Sequence, residues 1–190
     1  MKLWLVTSNE HKYIELSEVL SSFGVKLEML STGKAEVRHE DIGVIALQAA
    51  RLAYRTYRLP LIVDDSGLYI EVLGGFPGPY SNYVYSTLGL RGILKLMEGV
   101  SNRRACFQAA IAAIIPPFEK VFRGSVCGNI ALEPRGTQGF GFDPIFIPDG
   151  GGGRTFAEMS VEEKNLLSHR ARAARSLGEW LVRRFAGKRL

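Results

Sequence analysis

The chain has 190 residues, of which 46% are apolar and 23% charged, with a net charge of +5. That length allows one large domain, or two lobes sharing a sheet, and the apolar share excludes a disordered chain. The positive balance favours an anionic partner and leaves phosphorylated small molecules and nucleic acid both open.

No stretch approaches the roughly 20 apolar residues of a membrane span, and the N-terminus opens on strand-like residues rather than a signal peptide, so a cytoplasmic location is expected. Residues 3–6 read as a buried strand. Thr7, Ser8, Asn9, Glu10, His11 and Lys12 then form a polar turn, after which Tyr13, Leu16, Leu20 and Phe23 recur at helical spacing until Gly24. A helix start of this kind aims free N–H groups at an anion, with Ser8, Asn9 and Lys12 at hand for a phosphate. The same residues also suit an ordinary N-cap beside a solvated lysine. A P-loop is excluded, because its Gly-Lys-Ser/Thr pattern is absent.

A second strand is expected over 25–29, followed by a polar segment, 33–41, that holds Glu36, Glu40 and Asp41. Ala46, Leu47, Ala49, Ala50, Ala53 and Tyr54 supply the packing face of a helix that ends before Pro60. The alternation of strand and helix predicts an α/β unit. Residues 61–63 are a branched apolar run delivering Asp64, Asp65 and Ser66 to Gly67, where the strand is expected to end. This stretch reads either as a solvated turn or as a divalent-metal or general-base site at the C-terminal end of a strand.

Residues 73–81 form a loop rich in glycine and proline, and a short helix is expected over 91–97. Residues 105–115 and 121–132 flank Pro116-Pro117 as a β-hairpin, whose weak alternation suggests that both faces are covered. Cys106 and Cys127 lie in these runs without CxxC spacing, so buried free thiols are expected rather than a zinc site, with a pairing of the two left open by the sequence. The loop 135–144 lacks the GxGxxG order, although a base could stack on Phe140 or Phe142. A short strand, 145–147, and a glycine run, 149–153, follow. The last element reads as one helix: Ser160 and Glu163 satisfy a capping box, and Leu167, Ala171, Ala174, Leu177 and Leu181 form its stripe. On its polar side Lys164, Ser168, His169 and Arg170 fall within reach of one ligand, or serve as surface decoration.

Taken in order, several motifs resemble the Ham1-like noncanonical purine NTP pyrophosphatases, also called inosine triphosphate pyrophosphatases or XTP/dITP diphosphatases. They are Thr7-Ser8-Asn9-Glu10-His11-Lys12, Asp64-Asp65-Ser66-Gly67-Leu68, Gly75-Phe76-Pro77-Gly78-Pro79-Tyr80-Ser81, Gly139-Phe140-Gly141-Phe142-Asp143-Pro144, Phe156-Ala157-Glu158-Met159 and Glu163-Lys164-Asn165-Leu166-Leu167-Ser168-His169-Arg170. The resemblance spans nearly the whole chain. It implies an α/β fold with an elongated mixed central sheet and flanking helices, in which one domain, 1–190, has two lobes around a nucleotide cleft, the second roughly 68–132. It also implies a homodimer, no stable nucleic-acid partner, and magnesium-dependent hydrolysis of ITP, dITP and XTP to the monophosphate and pyrophosphate.

By the same resemblance, Thr7, Ser8, Asn9, Glu10, His11, Lys12 and Lys164 hold the triphosphate. Glu36 and Asp65 contact the metal, and Asp65 is also the proton acceptor. Ser66, Phe140, Gly141, Phe142, Asp143, His169 and Arg170 surround the nucleoside. The chain departs from the family at Asn82-Tyr83-Val84-Tyr85, where a basic residue is frequent, and at Ile45-Ala46-Leu47-Gln48. The alternatives are a pyrophosphatase of broader NTP and dNTP specificity, or a non-catalytic nucleotide- or RNA-binding module built on the basic last helix. The acidic pair argues against the latter, since carboxylates repel phosphate unless a cation intervenes.

Overall fold

The computed structural model describes residues 1–32 and 37–185. Strand β1 (Lys2–Val6) pairs in parallel with β2 (Lys26–Leu30) and with β3 (Leu61–Ile70). Helices α1 (Glu10–Ser21) and α2 (Ile42–Tyr57) connect these strands, as parallel pairing requires. The two-residue strand β4 (Pro77–Gly78) lies antiparallel to β3, and β7 (Phe146–Pro148) antiparallel to β6 (Phe118–Ile130). With β5 (Arg104–Ile115) they form a mixed seven-stranded sheet in the order β2-β1-β3-β5-β6-β7, with β4 on β3. The remaining helices are α3 (Ser81–Thr87), α4 (Gly89–Leu96), α5 (Val161–Leu167) and α6 (His169–Phe185).

The chain divides into two compact units. The first comprises residues 1–65, 109–124 and those from His169 onward; the second comprises 66–108 and 125–168. In the first unit the strands bury both faces. Leu3, Leu5, Ile62 and Ile111 pack with Leu16 and Leu20 of α1 and Ala174 and Leu177 of α6. Val6, Leu61, Val63 and Ala112 pack instead with Ile42, Ala46 and Ala50 of α2. Period-two alternation along β1 and β3 sends successive side chains to these two sides, which is why the strands read as continuous apolar runs. The second unit has its own core, in which Leu68, Ile70, Phe107, Val126, Phe146 and Phe156 meet.

Four sequence expectations change. Strand β3 does not end at the Asp-Ser-Gly step but continues to Ile70. Gly67 is required there because a Cβ would collide with the Gly78 carbonyl of β4, so the glycine marks a close backbone approach and not a break. The residues after the 73–81 loop form an additional helix, α3, whose aromatic-rich sequence carries little helical periodicity. The last element is two helices, because Ser168 is extended (φ −66°, ψ 151°) and closes α5 with its N–H on the Lys164 carbonyl. The apolar stripe conceals this break, since a single extended residue leaves the spacing of Leu167 and Ala171 undisturbed.

The fourth change concerns the cysteines, which are not free thiols. Cys106 of β5 and Cys127 of β6 form a disulfide whose Cα atoms lie 4.0 Å apart, across 21 residues of sequence. Closing a loop of that length limits the unfolded chain. Replacing both cysteines by serine is therefore expected to lower the unfolding free energy by about 2–4 kcal/mol. Denaturant titration of the two proteins measures this, and coincident midpoints would rule out a stabilising staple.

Candidate functional site

In the first unit the polar turn after β1 is held by its own side chains. The Asn9 N–H donates to Thr7 Oγ1 (3.1 Å), and Asn9 Oδ1 accepts from the Lys12 N–H (3.2 Å), so Asn9 is the N-cap of α1. This fixes the first turn of the helix and with it Lys12, whose amine is not simply solvated. Lys12 Nζ lies 2.8 Å from Asp64 Oδ2 and donates to the Asp64 carbonyl at 3.3 Å. Ser8, Glu10 and His11 are exposed on the same turn.

Asp64 Oδ2 also meets Arg170 Nε at 3.2 Å, and Arg170 Nη1 lies 2.6 Å from Glu15 Oε2. Lys12, Asp64, Arg170 and Glu15 thus form one chain of alternating charge. Burial alone would push the Asp64 carboxyl up, but the Arg170 and Lys12 charges outweigh it and hold the group far below the usual carboxylate range. Arg170, the largest fully buried side chain, is raised above its ordinary value in turn: burial disfavours its charge, and Asp64 and Glu15 more than compensate. Its placement depends on Gly124 of β6, where a Cβ would strike the His169 carbonyl and the Ala173 amide. A glycine at that point lets the first turn of α6 lie directly on the strand.

Asp65, the next residue of β3, is 8% exposed. Strand alternation places it on the side of Val63 and α2, opposite Asp64, which shares the α1 and α6 side with Ile62. The two acids that look equivalent in sequence therefore differ: Asp64 is bound into ion pairs, and Asp65 faces the side of α2. Glu36 lies outside the described residues. Within the described ones, no group of three or more His, Cys, Asp or Glu residues forms a metal site. The donor chemistry nevertheless fits magnesium. Asp65 offers hard carboxylate oxygens, and magnesium is commonly held by one or two carboxylates together with substrate phosphates.

In the second unit Lys164 is buried, with its amine 2.6 Å from Asp143 Oδ2. The amine also lies 5.1 Å from the Phe140 ring centre and 5.4 Å from that of Phe156. The same Asp143 oxygen accepts the Phe140 N–H at 2.9 Å. The turn needs positive φ at Gly139 (70°) and Gly141 (61°), and a Cβ at Gly139 would collide with the Asp143 carboxylate. A capping box between Ser160 and Glu163 starts α5 and so sets the position of Lys164 in its second turn. Ser66 is half-buried at the start of this unit.

Each unit thus holds a lysine amine against a carboxylate, Lys12 on Asp64 and Lys164 on Asp143, and the comparisons with known proteins identify the family. The model of the Ham1 family matches residues 3–180. The chain belongs to the Ham1 family. It is 50% identical over 184 residues to a protein of Pyrobaculum aerophilum named dITP/XTP pyrophosphatase, covering 97% of this chain and 98% of that one. A protein of the same name from Saccharolobus solfataricus is 51% identical over 181 residues, covering 95% and 94%. Among solved structures, a HAM1 protein from Coxiella burnetii superposes with a TM-score of 0.84 at 32% identity, over 96% of this chain and 99% of that one.

For a Ham1 chain, the predicted residues are distributed unevenly. Thr7 to Lys12, Asp65, His169 and Arg170 belong to the first unit, whereas Ser66, Phe140, Gly141, Phe142, Asp143 and Lys164 belong to the second. The reading of Lys164 and His169-Arg170 as neighbours on one helix face is corrected by the break at Ser168. Lys164 belongs with Asp143, and Arg170 with Asp64 and Glu15. Phe142 is a core residue, 3% exposed and edge-on to Tyr85, so a stacking role for its ring is corrected too; the half-buried ring of that loop is Phe140. Sequence reasoning missed Glu15. Its signal was an acid three residues after Lys12, on the same side of α1 as Leu16 and Val19, where a carboxylate is out of place without a partner.

Proposed function

We propose that this chain hydrolyses noncanonical purine nucleoside triphosphates, dITP, XTP and ITP, to the monophosphate and pyrophosphate, and so removes deaminated purines from the nucleotide pool. The observation that carries this reading is Asp65, a nearly buried carboxylate on the face of β3 opposite the ion-paired Asp64, in a chain half-identical to proteins named dITP/XTP pyrophosphatase. Lys12 and the N-terminal turn of α1 carry positive charge to the phosphates. Asp65 accepts the proton of the attacking water. Asp65 and Glu36 would hold magnesium, which would supply positive charge to the oxygens of the group under attack.

Base choice is a question of hydrogen-bond polarity. A 6-oxo purine presents an acceptor where adenine presents an amino donor, so donors from the backbone of the 139–143 loop or from His169 favour the former. A buried donor left unpaired costs about 1–3 kcal/mol, which is enough for strong discrimination. The Phe140 ring supplies a stacking surface. We further propose a homodimer and a cytoplasmic location; no helix among the described residues is long and apolar enough to cross a membrane.

The test is a substrate panel of dITP, XTP, ITP, ATP and GTP with and without magnesium, read by separate pyrophosphate and orthophosphate assays. Release of pyrophosphate from dITP, XTP and ITP, with ATP and GTP at least tenfold slower, is the expected result. Orthophosphate as the product, or equal rates on ATP, would overturn the reading.

A further inference from the structure

Glu15 is 3% exposed, and it reaches Arg170 from the same helix that presents Lys12. Positions 12 and 15 are three residues apart and so share one side of α1. Both cations of the chain converge on a single oxygen, Asp64 Oδ2, at 2.8 Å from Lys12 and 3.2 Å from Arg170. Two cations sharing one carboxylate oxygen compete for it. The shorter contact belongs to Lys12, and Arg170 makes its own shorter contact, 2.6 Å, with Glu15. Glu15 therefore draws the guanidinium away from full reliance on Asp64.

We infer that Glu15 is a positioning residue for phosphate binding: by holding Arg170 it leaves Asp64 to orient Lys12 toward the phosphate chain. This inference rests on the hydrolase reading given above. Without the Glu15 carboxylate, Arg170 turns its fork onto Asp64, since a buried guanidinium must be matched by a carboxylate and binds one best through two parallel N–H groups. Lys12 then loses its carboxylate contact and keeps the longer one with the Asp64 carbonyl, 3.3 Å, so its four-carbon side chain samples more rotamers. Glu15 does this without touching the substrate.

The deciding experiment compares Glu15→Gln and Glu15→Asp with the unaltered protein. It measures Michaelis parameters on dITP together with calorimetric titration by inorganic tripolyphosphate in the absence of metal. Glu15→Gln is expected to raise KM at least tenfold with a smaller change in kcat, and to weaken tripolyphosphate binding at least tenfold. Glu15→Asp keeps the charge but withdraws it by one methylene, and at least threefold weaker tripolyphosphate binding is expected. If Glu15→Gln does not fold, Glu15→Asp alone decides, and unchanged tripolyphosphate affinity in it overturns the proposal. A lower melting temperature with unchanged KM and tripolyphosphate affinity overturns it as well, since that is the signature of a residue that only stabilises the fold. Should the unaltered protein hydrolyse no nucleotide, the hydrolase reading fails, while the tripolyphosphate titrations still decide the role of Glu15.

Discussion

Replacing Asp65 by Asn is expected to lower the rate of dITP and XTP hydrolysis by about 10²–10⁴-fold, the usual contribution of a positioned general base. The thermal unfolding midpoint should stay nearly unchanged. The substitution keeps the size and shape of the side chain and removes only its ability to take a proton and to bind a cation with a full negative charge. The neighbouring acid cannot take over. Asp64 points to the opposite side of β3, and Arg170 and Lys12 hold its carboxyl far below the usual carboxylate range, so it is a poor proton acceptor at neutral pH. Steady-state pyrophosphate release, with melting curves of both proteins, measures the effect. Turnover within threefold of the unaltered protein would remove Asp65 from the base role and shift attention to a water activated by other means.

The reasons why this site was only partly legible in the sequence lie in particular residues. The order of strands and helices was readable because β1, β3 and β5 are apolar on both faces and α1 and α2 carry packing stripes, so length and periodicity separate the two element types. Asp64 and Asp65 were conspicuous as charges at the end of an apolar run. Their division of labour was not, because it follows from which face of β3 each side chain occupies. Gly67 misled: a glycine after polar residues usually signals a turn, and here it admits the backbone of β4. Ser168 was silent, since one extended residue between α5 and α6 leaves the helical stripe in phase.

Contacts between residues distant in sequence were the hardest to foresee. Cys106 and Cys127 pair only because β5 and β6 bring them together, and nothing in their spacing dictates that register. Glu15 and Arg170 are separated by 155 positions, and neither is unusual until the other is seen beside it. Each was nonetheless an anomaly of type: an acid on the packing side of α1, and an arginine in a helix whose neighbouring positions, Ala171, Ala173 and Ala174, are buried. A charge on an apolar face is a request for a partner of opposite sign. Reading the two anomalies together would have proposed their pairing before any coordinates.

That pairing leads to the largest expected effect on stability. Changing Arg170 to Met preserves length and apolar volume but leaves Asp64 and Glu15 buried with one cation fewer between them, and breaking a buried pair in this way costs about 3–5 kcal/mol. The cost should depend on pH with a definite sign. In the unaltered protein the Asp64 pKa is lowered in the folded state, so its contribution is fully present above the ordinary value of 3.8 and is lost as pH falls below that value. In Arg170→Met the lowering is weakened while burial continues to favour the protonated acid, so the variant already binds protons where the unaltered protein does not. Denaturant unfolding of both proteins should therefore show the widest gap near neutral pH and a narrowing gap as pH falls toward 4 and below. A gap that is constant across this range would mean that Arg170 stabilises the fold through packing of its alkyl chain, and that the charges of Asp64 and Glu15 are satisfied without it.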